Sequence, residues 1–421
     1  MKRQRAALLE LGVCLLPGLM LLLLLLVKID APWQYLHDDN GAWYSAVARS
    51  HVTQGLARTK GQDFFVNRAD GSLVPYLHHP PLLGLFLAGM FRATGSDSPM
   101  LVRSCMAALH LCSFALFCIV CRLLFTNSML RRAWAAFVFA ICPMSSYFGK
   151  MPDHEPLALL FLLAGLCATL VYVRTPGDQS RRWLIIGGLA WILVVFSSWH
   201  AAMVATGLGC LLLFRKKEQA GAERQAGIVI LTTVTVAVTL AGLHILWSAG
   251  WHLTESQAAS LKHWGSVPTD NTGISFYWSC LRETARHGRR FLADVPWAMA
   301  WLWFAGLAIA AARGTPISRV RRVIFGLCLG TVAYIFVFFR ATQTHAYQQF
   351  YLLPFVALAS ADILGSLAQR ISSRSRPLVV LLVCLLVAGT LHGTVRQLRR
   401  IYSKPHPWTV PAVKALESQY L

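Results

Sequence analysis

Charge is what this sequence is short of. Only 14% of its 421 residues are Asp, Glu, Lys or Arg, where a soluble domain has roughly a quarter. Acids are scarcest: 18 Asp and Glu stand against 39 Lys and Arg, a formal net charge of +21. There is no internal repeat, and no low-complexity segment beyond the Leu run at 21–26. A cysteine framework is missing too. Of eleven cysteines, Cys105, Cys112, Cys118, Cys121, Cys142, Cys167, Cys210, Cys328 and Cys384 lie in apolar runs, and only Cys280 falls in a predicted loop. Cys118 and Cys121 have metal or redox spacing but no His or acidic neighbours, so they read as packing. These absences exclude a soluble enzyme and a disulfide scaffold.

What is present is hydrophobic length: 56% of the chain, in recurring apolar runs of about twenty residues, each able to cross a ~30 Å hydrocarbon core. A β-barrel would show short alternating strands instead. The fold class is therefore an all-α polytopic membrane protein. Eleven spans are predicted, at 7–27, 101–125, 133–148, 156–173, 183–196, 201–214, 228–247, 295–312, 323–339, 347–367 and 378–391. The basic N-terminus and first apolar run resemble a signal peptide, but Val27-Lys28-Ile29-Asp30 is no small-residue cleavage site. The run is read as a retained helix. Segment 81–90 is apolar but ends too early, at Arg92 and the Gly95–Pro99 turn, so it is expected to lie at the outer surface.

Loop charge sets the orientation. With the N-terminus inside, every inside segment is basic: Lys2, Arg3 and Arg5; Arg122, Arg131 and Arg132; Arg174, Arg181 and Arg182; Arg215, Lys216, Lys217 and Arg224; Arg313, Arg319, Arg321 and Arg322; Arg370, Arg374 and Arg376. The short loops near Asp153 and Trp199 are not. This is the positive-inside pattern. It accounts for the basic excess through cytoplasmic loops and anionic lipid, with no call on nucleic acid. The transmembrane module then covers 1–395, with outer loops at 28–100 and 250–294. A short tail, 396–421, follows on the outer side.

That orientation gathers four polar clusters on one face: Asp38 and Asp39 with His78 and His79; Lys150, Asp153, His154 and Glu155; Ser197, Ser198 and His200; and Arg340 with His345, Tyr347 and Gln348. Ionisable groups at membrane edges are functional candidates. Each has a plainer reading. Asp39 could cap the helix that follows, and Asp153 the span starting at Pro156. His78 and His79 could be interface residues before a Pro-Pro helix start. Arg340 could snorkel from a helix end. Taken together on one face, the functional reading is stronger.

In order along the chain stand His37-Asp38-Asp39-Asn40-Gly41-Ala42-Trp43-Tyr44, Tyr76-Leu77-His78-His79-Pro80-Pro81-Leu82, Val102-Arg103, Gly149 through Pro156, and Thr344-His345-Ala346-Tyr347 with Leu353-Pro354. As an ordered set over roughly 1–370, these resemble the GT-C superfamily of membrane glycosyltransferases, closest to its protein O-mannosyltransferase-like and aminoarabinose-transferase-like types. Two departures are visible. Family members often carry an acid where His79 stands, and the large soluble C-terminal domain of some members has no counterpart here.

The resemblance implies transfer of a sugar from a polyprenyl-phosphate donor to a lipid, glycan or protein acceptor on the outer face. Phosphate leaves without needing a proton. A carboxylate must take the acceptor's proton, and cations must hold the phosphate as its charge grows. Asp38 or Asp39 suits the first task. Arg340 and His345, with Tyr347 close by and Lys150 or Arg103 as further cations, suit the second, Arg being the better fork for phosphate. Asp153 or Glu155 would bind sugar or acceptor hydroxyls, and His78 and His79 would bind the sugar or order the acid. A divalent cation, Mg or Mn, held by Asp39 and Asp153 stays open. So do two other functions: a polyprenyl-linked glycan polymerase or ligase, which the basic 250–294 loop would suit, and a lipid-linked-sugar flippase or transporter. The latter would favour paired, broken helices in two repeats.

Overall fold

The computed structural model describes residues 2–66, 70–71, 73–75, 79–175, 180–213, 221–249, 274–373 and 375–420, a few of them by backbone alone. Helix α1 (Lys2–Leu26) leads into a segment holding α2 (Asp39–Thr59), a two-stranded antiparallel ribbon (Phe64–Val66 with Leu73–Pro75) and α3 (Leu82–Thr94). The bundle continues with α4 (Pro99–Leu124), α5 (Met129–Ile141), α6 (Pro143–Phe148), α7 (His154–Arg174), α8 (Arg181–Ser197), α9 (Trp199–Leu213) and α10 (Gly221–Ala249). After the undescribed 250–273 come α11 (Ile274–Phe291), α12 (Asp294–Ala312), α13 (Arg319–Val337) and α14 (Phe339–Thr344). A 3₁₀ turn (Ala346–Gln349) then leads to α15 (Leu352–Ser372), α16 (Arg376–Tyr402) and α17 (Thr409–Tyr420).

Each of the eleven predicted spans falls largely on helix among the described residues. Seven are long and apolar enough to cross a membrane: α4, α7, α10, α12, α13, α15 and α16. The apolar part of α1 (Gly12–Leu26) and α9 are shorter. The chain is thus an integral, multi-pass α-helical protein. At 13 residues, α3 is roughly 20 Å long, too short for a span. It packs on α2 and ends at Gly95 in the left-handed region (φ 68°).

Two boundaries differ from expectation. The span at 133–148 is broken: Cys142 turns extended (ψ 138°) and Pro143 opens α6, because proline disfavours the helical region in the residue before it. The segment between α13 and α15 is not a bare loop from 340 to 346. It folds as α14 plus the 3₁₀ turn, and the span itself starts at Leu352. Cys280 lies within α11 rather than a loop, and the ten cysteines whose side chains are described are free thiols.

Of the seven long apolar helices, packing buries α15 most and α16 least. α15 contacts α5, α12 and α13; α7 contacts α4 and α8. Where α9 crosses α13, a Cβ on Gly207 would lie 2.8 Å from the backbone nitrogen of Gly330. Small residues there let two backbones approach, the usual device for packing helices in lipid. Exposed Leu15, Leu19, Leu23, Leu240, Leu243, Leu381 and Leu385 form part of the outward apolar surface.

Candidate active site

The loop between α1 and α2 is pinned before it reaches the acids. Asp38 Oδ2 accepts the backbone N–H groups of Gln34 (3.0 Å) and Tyr35 (2.8 Å) and pairs with Arg103 Nη2 at 3.0 Å. Arg103 also donates to the carbonyls of Ile29, Ala31 and Pro32, and its guanidinium lies 4.2 Å from the Trp33 ring centroid. Lys150 donates to the Val27 carbonyl at the end of α1, and Tyr147 to Leu36 O at 2.6 Å. Burial, with Arg103 close by, lowers the Lys150 ammonium to about 7. Asp38, Arg103 and Lys150 are therefore engaged with the frame of the loop.

That frame delivers Asp39 to the first turn of α2. Neither acid caps the helix: the N-cap position is Asp38, and its side chain makes no capping bond. Asp39 is partly exposed. Its carboxyl is raised above the usual range, chiefly by burial and further by Asp38, while its own backbone, His406 and Thr409 pull it down.

Next along the helix, Asn40 Nδ2 donates to Asp153 Oδ2 at 2.7 Å, joining the start of α2 to the head of α7. Asp153 also caps α7, its Oδ1 accepting the His154 N–H at 2.8 Å. Asp153 therefore caps α7 with one oxygen while the other receives Asn40. Burial raises its carboxyl to about 6, and Asp39 adds to the rise. Glu155, fully buried, shares a hydrogen bond with Asp153 and leaves Oε2 without a partner. Around this pair stand His79, stacked on His154 with centroids 4.1 Å apart, and Tyr44, edge-on to His154 at 4.8 Å. Tyr334 and Tyr351 lie within electrostatic range of both acids, and His200 stacks on Tyr334 at 3.8 Å.

A group of imidazoles gathers around His37, next to the acids in sequence. The His37 ring lies 5.6 Å from His345 and 5.2 Å from Tyr347. His37 has φ 60°, the left-handed region that non-glycine residues seldom enter. Burial holds His37 well below its ordinary value, and His345, His406 and His287 push the same way. His345 is lowered to about 4, by burial and then by His287.

So Asp38, Asp39, His79, Lys150, Arg103, Asp153, Glu155, His345 and Tyr347 all fall at one end of the bundle. His78 lies outside the described residues. Of Arg340 only the backbone is described, in α14. Residues not singled out as candidates from sequence are Asn40, His37, Tyr334, Tyr351, His406 and Thr409. Asn40 and His37 flank the acids directly. The tyrosines lie in or beside apolar spans, and the last two belong to a tail with no periodic signal before α17.

Among the described residues no three His, Cys, Asp or Glu side chains converge as ligands, and each Asp153 oxygen already accepts a hydrogen bond.

No protein-family profile matches the chain, and no curated protein sequence does. Solved structures do match. The oligosaccharyltransferase of Archaeoglobus fulgidus, in complex with Zn and sulfate, aligns with a TM-score of 0.62 at 14% identity, over 91% of this chain and 52% of that one. ArnT from Cupriavidus metallidurans, bound to undecaprenyl phosphate, aligns at 0.58 and 14%, over 84% and 60%. The archaeal oligosaccharyltransferase AglB from Archaeoglobus fulgidus, with an inhibitory peptide and a dolichol-phosphate, aligns at 0.56 and 14%, over 94% and 56%. The chain spans little more than half the length of these proteins. At such identities the likeness is one of fold.

Proposed function

We propose that this chain, which has the GT-C membrane glycosyltransferase fold, moves a sugar from a polyprenyl-phosphate donor to an acceptor at the outer face of a bacterial inner membrane. The observation that carries this reading is the Asn40–Asp153 hydrogen bond. It brings an acid from the first outer loop and an acid from the head of α7 together at the membrane edge, in a fold whose solved members include one bound to undecaprenyl phosphate and one to a dolichol-phosphate.

Asp39 is the base in this scheme. Asp38 is occupied by Arg103 and two backbone amides; Asp39 has no such strong partner, and its raised proton affinity moves it toward the pH at which a base works best. Asp39 takes the proton of the acceptor hydroxyl as that oxygen attacks the anomeric carbon. The bond from that carbon to the phosphate oxygen breaks, and the phosphate leaves with both electrons. Asp153 and Glu155 receive sugar or acceptor hydroxyls, with His79 beside them. Since Arg103 and Lys150 are turned to the loop frame, the departing phosphate falls to Arg340, with His345 and Tyr347. No step is routed through a metal ion.

The test is transfer by purified protein in nanodiscs, with a labelled polyprenyl-phosphate sugar and total membrane lipid as acceptor source. Asp39→Asn keeps the shape of the side chain and removes its basicity. Turnover should fall by ~10²–10⁴ with the melting temperature held. Full activity in Asp39→Asn would refute the assignment. A wild-type chain that moves the intact donor across the bilayer without cleaving it would favour the transporter instead.

A further inference from the structure

The chain does not end its contribution at α16. After Tyr402 it returns to the α1–α2 loop, where the His406 backbone N–H donates to Gln34 O at 2.7 Å. This ties the turn to the loop that carries Asp38. Thr409 then opens α17 and is 1% exposed. Its Oγ1 stands 3.5 Å from Asp39 Oδ1 and 3.4 Å from His406 Nδ1. Val413 and Leu416 anchor α17 in an apolar cluster with Ala42, Ala46 and Val47 of α2.

We propose that His406 and Thr409 are positioning residues for Asp39, so that the tail is a working part of the site and not a cover laid over it. The inference rests on Asp39 being the base. The apolar anchor alone would hold α17 in place; nothing in that packing calls for a buried hydroxyl aimed at a carboxylate. Buried hydroxyls take partners, and the ones within reach of Thr409 are Asp39 and His406. A hydroxyl has one proton to give. If it goes to Asp39, His406 must present Nδ1–H to the threonine oxygen, which fixes the tautomer. The chain His406, Thr409, Asp39 is then directed toward the carboxylate. Its links are long, as catalytic hydrogen bonds often are before substrate binds.

Asp39 is faced by Asp38 on its own turn, Asp153 from the head of α7, Tyr147 from α6, and His406 and Thr409 from the tail. Asp38, Asp153 and burial favour the protonated acid. The tail pair favours the carboxylate, and removing it should shift Asp39 toward protonation.

Thr409→Val, His406→Gln and the conservative Thr409→Ser are compared with wild type in nanodiscs by two readouts. One is the acid limb of the transfer rate against pH. The other is the pH dependence of carbodiimide coupling to Asp39, read by peptide mass spectrometry, which needs no turnover. In Thr409→Val and His406→Gln both midpoints should move up together, while Thr409→Ser follows wild type. Coupling profiles of Thr409→Val and His406→Gln that superimpose on wild type would overturn the proposal. Activity in Asp39→Asn would sink the base reading instead, and the coupling profile would still judge the tail contact.

Discussion

Asn40 and Asp153, 113 residues apart in sequence, share a 2.7 Å hydrogen bond that ties the start of α2 to the head of α7. The bond sets how far the α2 start can move from the head of α7, and so how Asp39 faces Asp153 and Glu155. Asp153 is buried, and losing one donor leaves a buried acceptor oxygen short of a partner, at about 1–3 kcal/mol. Asn40→Ala should therefore melt earlier and raise the apparent KM for substrate more than it lowers turnover. Thermal unfolding and steady-state kinetics on the same preparation check both halves. A variant that melts early with unchanged kinetics would make the bond structural only.

Arg103 makes the contrasting case. It was a candidate for the donor phosphate, and the structure pairs it with Asp38 and three carbonyls. Removing one partner of a buried ion pair strands the other, typically costing about 3–5 kcal/mol. Arg103→Gln should fall in that range by unfolding in detergent, and the loss should be no smaller without donor. If Arg103 held the phosphate, added polyprenyl phosphate would protect wild type far more than the variant.

How much of this was legible beforehand follows from the kind of signal involved. Span positions follow from apolar run length, and α3 was recognised as non-spanning because Arg92 and Gly95 cut it short. Asp39 and Asp153 stood out because acids are few and both fall at span ends. The choice between Asp38 and Asp39 was not legible. It depends on Arg103, 65 residues later, facing one and not the other. Nor was the docking of α17: Val413 and Leu416 are only three residues apart, too short a pattern to identify the face they meet.

Stability should also report two buried acids. Asp63, paired with His51 Nε2 at 3.1 Å, is raised to about 6 by burial, against the pull of His51, and Asp153 is likewise raised to about 6. A carboxyl with a higher value folded than unfolded binds more protons in the native state between the two, so stability falls as pH rises there. The decline should run from about 4 to about 6 and be complete above that. Asp63→Asn should flatten part of it. Melting temperatures at four or five pH values for both proteins decide this, and equal slopes would remove Asp63 from the account.

The proposed donor site assigns the phosphate to Arg340. Its helix, α14, lies beside the 3₁₀ turn that carries Tyr347, and His287 Nε2 meets Gln343 O at 3.1 Å. A guanidinium that grips phosphate as a planar fork is only partly replaced by an ammonium. Arg340→Lys should raise the donor KM modestly and Arg340→Ala much more, with acceptor KM unchanged in both. Free replacement by Lys would mean a snorkelling side chain.

Orientation is the last matter, because every role above assumes one shared face. The structure ties the tail to that face directly: Thr409 reaches Asp39, and His406 reaches Gln34. Whatever side holds the acids holds α17. By the positive-inside rule the basic loop segments predicted from sequence face the cytoplasm, so Asp39, Asp153 and α17 are expected outside. The rule counts short loops, so the basic stretch at 282–290 carries little weight against it. A phosphatase that works only outside the cytoplasm, fused after Tyr420, should be active. The same enzyme inserted between Gly314 and Ser318, in the turn joining α12 to α13, should be silent. The reverse pair of results would place the candidate site on the cytoplasmic face, where a soluble sugar nucleotide could reach it, and the lipid-donor reading would lose its main support.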